Sequence, residues 1–465
     1  MIADGAGFST LQATRYYTGK PLPYDADDWV KLAMTTYSLS AGEDRSDQDP
    51  ERVYNPAKSW DTRPAEGYRK QQYPYYFEGY KWHMNTYPDS AATMSAMMTG
   101  ERVPNGSLNM KSRGEPLVSV AELAHRDGKL VGAITTVEFV DATPASGSGV
   151  HIRNRRDYSD IAQQMLNSGI ASFIGGAGNP DYDNNGKPFP ETLARDYQFV
   201  GGKKAWEQLK EGSHPQKWLL VESRQQLNKL ATEPADQIPD RPIIYVAPVH
   251  NKFQVFRYSN TDMKTASPGE DKKNQNVASL SELSAAALNV LGRNPDGFFL
   301  MIEGGAIDIA MHQNAMGRMI EEYIDFSDAV QTVTEYLDDN NEGNNWDNTL
   351  VIVTADHDHL LLGPESDKIP YQPLEDRGAG NMPGYKWLYN SHSNLPVPWF
   401  AKGVGAKQFV SLAKQVDHHE SDGKTYGYGP YFHQIDMGKQ LMAYLSQPKN
   451  LSQTSPHAPP TASGQ

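Results

Sequence analysis

The chain has no cysteine among its 465 residues. That absence excludes disulfides, thiolate zinc fingers, iron–sulfur clusters and thiol nucleophiles together. It is neutral on compartment, because a cysteine-free chain is at home in oxidising or reducing surroundings. Positive charge is also short: 43 Lys and Arg stand against 57 Asp and Glu, a formal net charge of −14. A nucleic-acid binder needs a basic face to displace counterions from phosphates, so this balance argues against one. It leaves room for an anionic substrate, since a metal or an arginine can dominate the field inside a pocket. No apolar run approaches the roughly 20 residues of a membrane-spanning helix. No charged segment leads into an apolar one at the start, so no signal peptide is visible.

What is present suffices for a core: 38% hydrophobic and 10% aromatic residues in a long chain. Length alone suggests about three domains. The opening Met1-Ile2-Ala3-Asp4-Gly5-Ala6-Gly7 reads as the end of a strand running into a turn. A strand needs about five or six residues, so its beginning is expected upstream. From residue 117 onward helices and strands alternate. Helices are expected at 117–126, 158–168, 225–230, 280–291 and 320–338, and strands at 130–137, 171–174, 242–246, 297–302, 349–354 and 399–401. Such alternation predicts an α/β fold with a mostly parallel sheet covered on both faces. Residues 25–85 and 363–391 break the rhythm and are expected to be long loop insertions, lids or substrate-binding segments. Residues 452–465, rich in Ser, Pro, Thr and Gly, read as a disordered tail.

In open α/β sheets, ligands gather at the carboxyl ends of the strands. Asp4 ends the first strand, and Asp141-Ala142-Thr143 follows the strand at 130–137. Glu303 ends the next, with Asp308 and His312 beyond it; Asp356-His357-Asp358-His359 follows the strand at 349–354; His392 precedes the last. Asp308 and His312, spaced i,i+4, share one face of a helix and can share a metal or simply decorate a solvated surface. Asp356-His357 is sharper, because charges at a buried strand's end need partners. Asp4 before two glycines can be a plain turn, His359 a core histidine, and His418-His419 a solvated loop. Asp181-x-Asp183-x-Asn185-Gly186 imitates a calcium loop, but Thr192 occupies the twelfth position and Pro188 and Pro190 interrupt it. Pro88-Asp89-Ser90 opens a small-residue helix that Gly100 ends. Ser90 therefore sits where the helix dipole favours an alkoxide or a bound anion, although Asp89 or Ser90 can equally be an ordinary cap.

Taken in order, Asp4-Gly5-Ala6-Gly7, Asp89-Ser90-Ala91, Asp141-Ala142-Thr143-Pro144, Glu303-Gly304-Gly305-Ala306-Ile307-Asp308, Thr354-Ala355-Asp356-His357-Asp358-His359 and the His392 segment resemble the alkaline phosphatases along nearly the whole chain. The resemblance implies one large three-layer α/β/α domain over residues 1–451 instead of three units. It implies two zinc ions and one magnesium. Asp308, His312 and His392 would hold the first zinc, and Asp4, Asp356 and His357 the second. Asp4, Thr143 and Glu303 would hold the magnesium, with Asp141 acting through a water. His359 would orient Asp308, Arg155 would bind phosphate, and Ser90 would be the nucleophile that forms a phosphoserine. It further implies phosphate monoesters as substrates, a homodimer, and a periplasmic or secreted setting. Ile309 departs from the family, which usually places Lys or His there, and Arg153 and Arg156 compete with Arg155 for register. The rival expectations are a phosphodiesterase or sulfatase-like hydrolase of the same superfamily, and a phosphate- or metal-binding protein without turnover.

Overall fold

Apolar and β-branched runs of a few residues build the strands of the computed structural model, which describes residues 1–39, 51–65, 76–190, 197–259, 261–339 and 343–446. In chain order they are β1 (Val30–Thr35), β2 (Leu130–Glu138), β3 (Ala171–Ala177), β4 (Leu219–Val221), β5 (Ile243–Val246) and β6 (Phe298–Glu303). The remainder are β7 (Leu350–Thr354), β8 (Leu361–Leu362), β9 (Lys386–Trp387), β10 (Val397–Gly403), β11 (Gln415–Ser421) and β12 (Lys424–His433). Two five-stranded halves form, in the orders β4-β5-β3-β2-β6 and β11-β12-β1-β10-β7. The first half is wholly parallel. In the second, β10 runs antiparallel to both β7 and β1.

The opening residues join the halves. Ile2 bridges in parallel to Glu303 of β6 and to Thr354 of β7. Its N–H donates to the Ile302 carbonyl at 2.8 Å, and the Ala3 N–H donates to the Thr354 carbonyl at 2.8 Å. One continuous sheet results, and Asp4 leaves it at the central position. Alternate side chains of the strands face opposite layers, as a two-residue period requires. Phe173, Ile243 and Tyr245 enter the core shared with the helices Leu280–Gly292 and Met316–Asp338. Ile174, Ile244 and Val246 enter a second core with the helices Tyr158–Asn167 and Lys203–Glu211. This is the expected α/β/α sandwich.

Three local expectations need correction. Residues 25–85 are not all loop, because β1 lies inside the sheet and the helix Glu78–Thr86 follows. Its alternation is weak, since Met34 and Thr35 are both buried on a strand with neighbours on either side. His418-His419 lies on the edge strand β11, paired with β12, not in a loop. The strand at Trp399 spans Val397–Gly403 and is antiparallel. The two insertions pack on each other: Trp60, Phe77, Tyr80, Tyr371 and Leu388 share one aromatic-rich cluster. The Tyr80 hydroxyl donates to the Ser366 carbonyl at 3.1 Å and accepts from the Tyr371 N–H at 2.7 Å. The tail at 452–465 and residues 40–50 and 66–75 of the first insertion lie outside the described residues.

Candidate active site

The carboxyl ends of β2, Met1–Ala3, β6 and β7 open on one edge, and each carries a residue singled out by its sequence. Ser90 is the first residue of the helix Ser90–Thr99. Asp89 is its cap, accepting from the Ala92 N–H at 3.0 Å, and Gly100 closes it in the left-handed region at φ 70°. The capping role therefore belongs to Asp89, which leaves the Ser90 hydroxyl for other contacts. It lies 3.2 Å from His357 Nε2. That nitrogen is also 3.2 Å from Asp356 and 3.4 Å from Asp4. Asp356 is steadied by the Gly5 N–H at 2.9 Å.

A second group adjoins the first. Donor atoms of Asp308, His312, His359 and His392 lie within 4.8 Å of one another, as do those of Asp4, Asp356 and His357. Within the larger group, Asp308 lies 3.3 Å from His312, 3.4 Å from His392 and 2.5 Å from His359. His357 and His392 stack with centroids 3.5 Å apart, tying the groups together. His392 is fixed from behind, with Nδ1 2.8 Å from the Pro88 carbonyl. Its neighbour Ser393 donates to Asp358 at 2.5 Å. Asp358 thus braces the His392 loop, a task that the Asp-His-Asp-His string did not reveal.

Burial and crowding perturb these groups strongly. Burial, then the carboxylates Asp356, Asp308 and Glu303, push Asp4 well above the usual range. Burial likewise lifts Glu303 to about 8, with Asp141 and Asp356 adding to it and the Thr135 hydroxyl, which donates to it, opposing. Burial is outweighed at Asp308, where His312 holds the carboxylate well below its ordinary value. The same pairing overcomes burial at His312 and raises it to about 9. Buried like charges at this density call for cations. Asp4 Oδ1 is buried without a hydrogen-bond partner among the described residues. The two groups of imidazole and carboxylate donors are of the kind that holds divalent metal ions.

Arg155 faces this edge. Its guanidinium donates to Asp141 at 2.8 Å and to Asp89 at 3.2 Å. Burial opposes its charge, yet Asp141 and Asp89 raise its pKa further above the usual arginine value. Arg153 instead points outward and donates to the Ser112 carbonyl at 3.0 Å, and Arg156 is exposed. The imitation calcium loop spends its oxygens internally: Asp183 accepts from the N–H groups of Asn185 and Lys187, and Asp181 from the Trp206 indole. Ile309 packs against the main core. Two residues absent from the sequence reading lie at the rim, Glu138 and Lys252, which form a buried ion pair. Glu138 ends β2, one residue beyond the strand limit read from the sequence, so strand-end logic would have found it.

Residues 1–374 match the family model described as alkaline phosphatase. The alkaline phosphatase of Escherichia coli K12 is 30% identical over 390 residues, covering 77% of this chain and 78% of that one. The tissue-nonspecific alkaline phosphatase of Gallus gallus is 26% identical, covering 74% and 70%. Among solved structures, the alkaline phosphatase of the Antarctic bacterium TAB5 superposes over 96% of this chain and 97% of its own, with a TM-score of 0.59 and 20% identity. That of Thermus thermophilus covers 95% and 89%, with a TM-score of 0.59 and 17% identity. With its motifs gathered on one edge of a matching fold, the chain belongs to the alkaline phosphatase family, whose members are phosphoric monoester hydrolases.

Proposed function

We propose that the protein hydrolyses phosphate monoesters through a covalent phosphoserine on Ser90. The observation that carries this reading is the Ser90 hydroxyl at a helix N-terminus, 3.2 Å from His357 and against the Asp4–Asp356 carboxylates. Asp308, His312 and His392 would hold one zinc, and Asp4, Asp356 and His357 a second. Asp4, Glu303 and Thr143 would hold magnesium, with Asp141 reaching it through a water. A variant of the Antarctic enzyme has been solved with magnesium bound in the site called M3, which supports the third assignment. When bound, such ions lower the pKa of a hydroxyl or water and stabilise charge on attacking and leaving oxygens.

The chain's own groups do the rest. Arg155 offers two N–H donors in a planar fork to phosphoryl oxygens. Ser90 Oγ attacks phosphorus as the ester oxygen departs, and water then cleaves the phosphoserine to return the hydroxyl and release inorganic phosphate. His359 keeps the Asp308 carboxylate oriented. Homodimeric assembly and a periplasmic or secreted setting complete the reading, carried by the family resemblance.

Ser90→Ala is expected to abolish phosphoenzyme and to lower monoester turnover by about a thousandfold or more, with zinc and magnesium content unchanged. Trapping with labelled substrate, metal analysis, and parallel assays on a monoester, a diester and a sulfate ester test this. Near-wild-type turnover in the variant would remove Ser90 from the role. A preference for diester or sulfate ester would overturn the substrate class.

A further inference from the structure

Of the four side chains in the larger donor group, Asp308, His359 and His392 are buried, and His312 is the one that reaches solvent, at 32% exposure. The group is therefore entered past His312. A cavity of about 350 Å³ opens there, walled by His312 with Gln313 and Asn314, by the segment 388–390, and by Lys264. His312 Nδ1 lies 2.7 Å from the Asn390 carbonyl, which ties the first two walls together. A short turn carries Lys264: its N–H donates to the Asp262 carboxylate at 3.1 Å, and the Ala266 N–H donates to the Asp262 carbonyl at 3.0 Å. The turn is seated on the helix Met316–Asp338, where a Cβ on Gly317 would run into the Ala266 carbonyl. Among the described residues, no carboxylate lines the cavity, and Lys264 and His312 are its only groups able to carry charge.

Ser90 stands beside His357, in the smaller donor group. An in-line attack on phosphorus from that side sends the departing oxygen the other way, toward Asp308, His312 and His392. The alcohol that owns this oxygen then extends past His312 into the cavity. There it meets an ammonium held in a concave wall, where the low-dielectric protein focuses its field. On a chain of net charge −14, such a local positive field is a means of selection. We propose that this cavity is the leaving-group subsite, and that Lys264 selects phosphate monoesters whose alcohol part carries a second anionic group, a carboxylate or a further phosphate. The inference deepens the phosphatase reading above and rests on it.

Three phosphate monoesters on one short alkyl skeleton separate charge from size: that of a terminal hydroxypropanoate, that of its neutral amide, and the propanediol bisphosphate. With the zinc- and magnesium-loaded enzyme at low salt, kcat/KM for each anionic ester should exceed that for the amide by about threefold or more, after allowance for the equivalent ends of the bisphosphate. The advantage shrinks as added salt screens it. Lys264→Met lowers the ratio of anionic to neutral ester by about three- to fivefold, Lys264→Glu inverts it, and Lys264→Arg keeps it within about twofold of wild type. A preference for either anionic ester that Lys264→Glu abolishes supports the proposal, and the order of the two tells which anion the cavity favours. A wild-type ratio near one overturns it. So does a ratio that Lys264→Met and Lys264→Glu leave unmoved, as when all three esters slow together because the turn has shifted; both results leave the phosphatase reading intact. Hydrolysis of none of the three esters by the loaded wild-type enzyme would overturn both.

Discussion

Arg155 owes its candidacy to two aspartates on different segments, Asp89 before the serine helix and Asp141 after β2. Arg155→Ala should raise KM and the inhibition constant for phosphate by about ten- to a hundredfold, the cost of a lost bidentate charge-assisted contact. Arg153→Ala should leave both nearly unchanged, since its exposed guanidinium donates to the Ser112 carbonyl, away from the site carboxylates. Steady-state kinetics on the two variants compares them, and the reverse order would move the anion site to Arg153. Much at this scale was legible beforehand. The i,i+4 pair Asp308 and His312, the Asp356-His357 doublet and the position of Ser90 were readable because strand ends and helix starts have fixed geometry. The Glu138–Lys252 pair was not, because 114 residues separate its members and nothing local announces it. Asp358 was hidden for a related reason: its partner, Ser393, lies 35 residues away.

Among the elements, the helix Met316–Asp338 carries an unusual load of buried charge. Arg318 and Arg257 both pair with Glu321, whereas Glu322 Oε1 is buried with no hydrogen-bond partner among the described residues. Burial, then Asp325, lift Glu322 from 4.5 to about 8, against the pull of Lys273 and Arg257 and with a further push from Glu321. The unfolded chain releases this proton near the ordinary value, and the folded chain keeps it until about 8. Stability from this group is therefore complete below the unfolded pKa and is lost as pH rises through that window. Glu322→Gln should stabilise the protein above pH 8 by on the order of a few kcal/mol and leave it unchanged below the unfolded value. Denaturation curves across the window, with the difference expected to grow with pH, check the sign. The elements themselves were read well where apolar periodicity was strong, as in β6 and β7. They were missed where it was weak: β1 inside a tyrosine- and aspartate-rich stretch, and the hairpin of β11 and β12, whose edge strand is mostly exposed and buries only Asp417, a charged residue. Edge strands carry charge to resist pairing with other chains, which makes them resemble loops in sequence.

For the molecule as a whole, the sheet is the frame that brings residues from Asp4 to His392 onto one edge. Stripping divalent ions with a chelator should lower Tm by several degrees, because buried like charges would then face one another uncompensated, and zinc should restore it. Thermal scans before and after re-addition test this; an unchanged Tm would argue that the two donor groups hold no stabilising ion. Among the described residues, no helix is long and apolar enough to cross a membrane. The sandwich was legible from the alternation of elements, while the splicing of its two halves by Ile2 was not, since pairing partners cannot be read from a short strand alone. That splice has a consequence for biogenesis. Ile2 waits for partners at Glu303 and Thr354, so on a ribosome moving at about 5–20 residues per second the central ladder stays open for roughly 20–70 s. Closing it is among the most non-local events available to the chain, and such contacts slow folding. The half built from β2 to β6 can collapse early, but the catalytic edge matures only when the C-terminal third has emerged. Premature termination would therefore yield a partly folded, inactive nucleus, and expression at reduced translation rates would lengthen the exposure of the waiting edges.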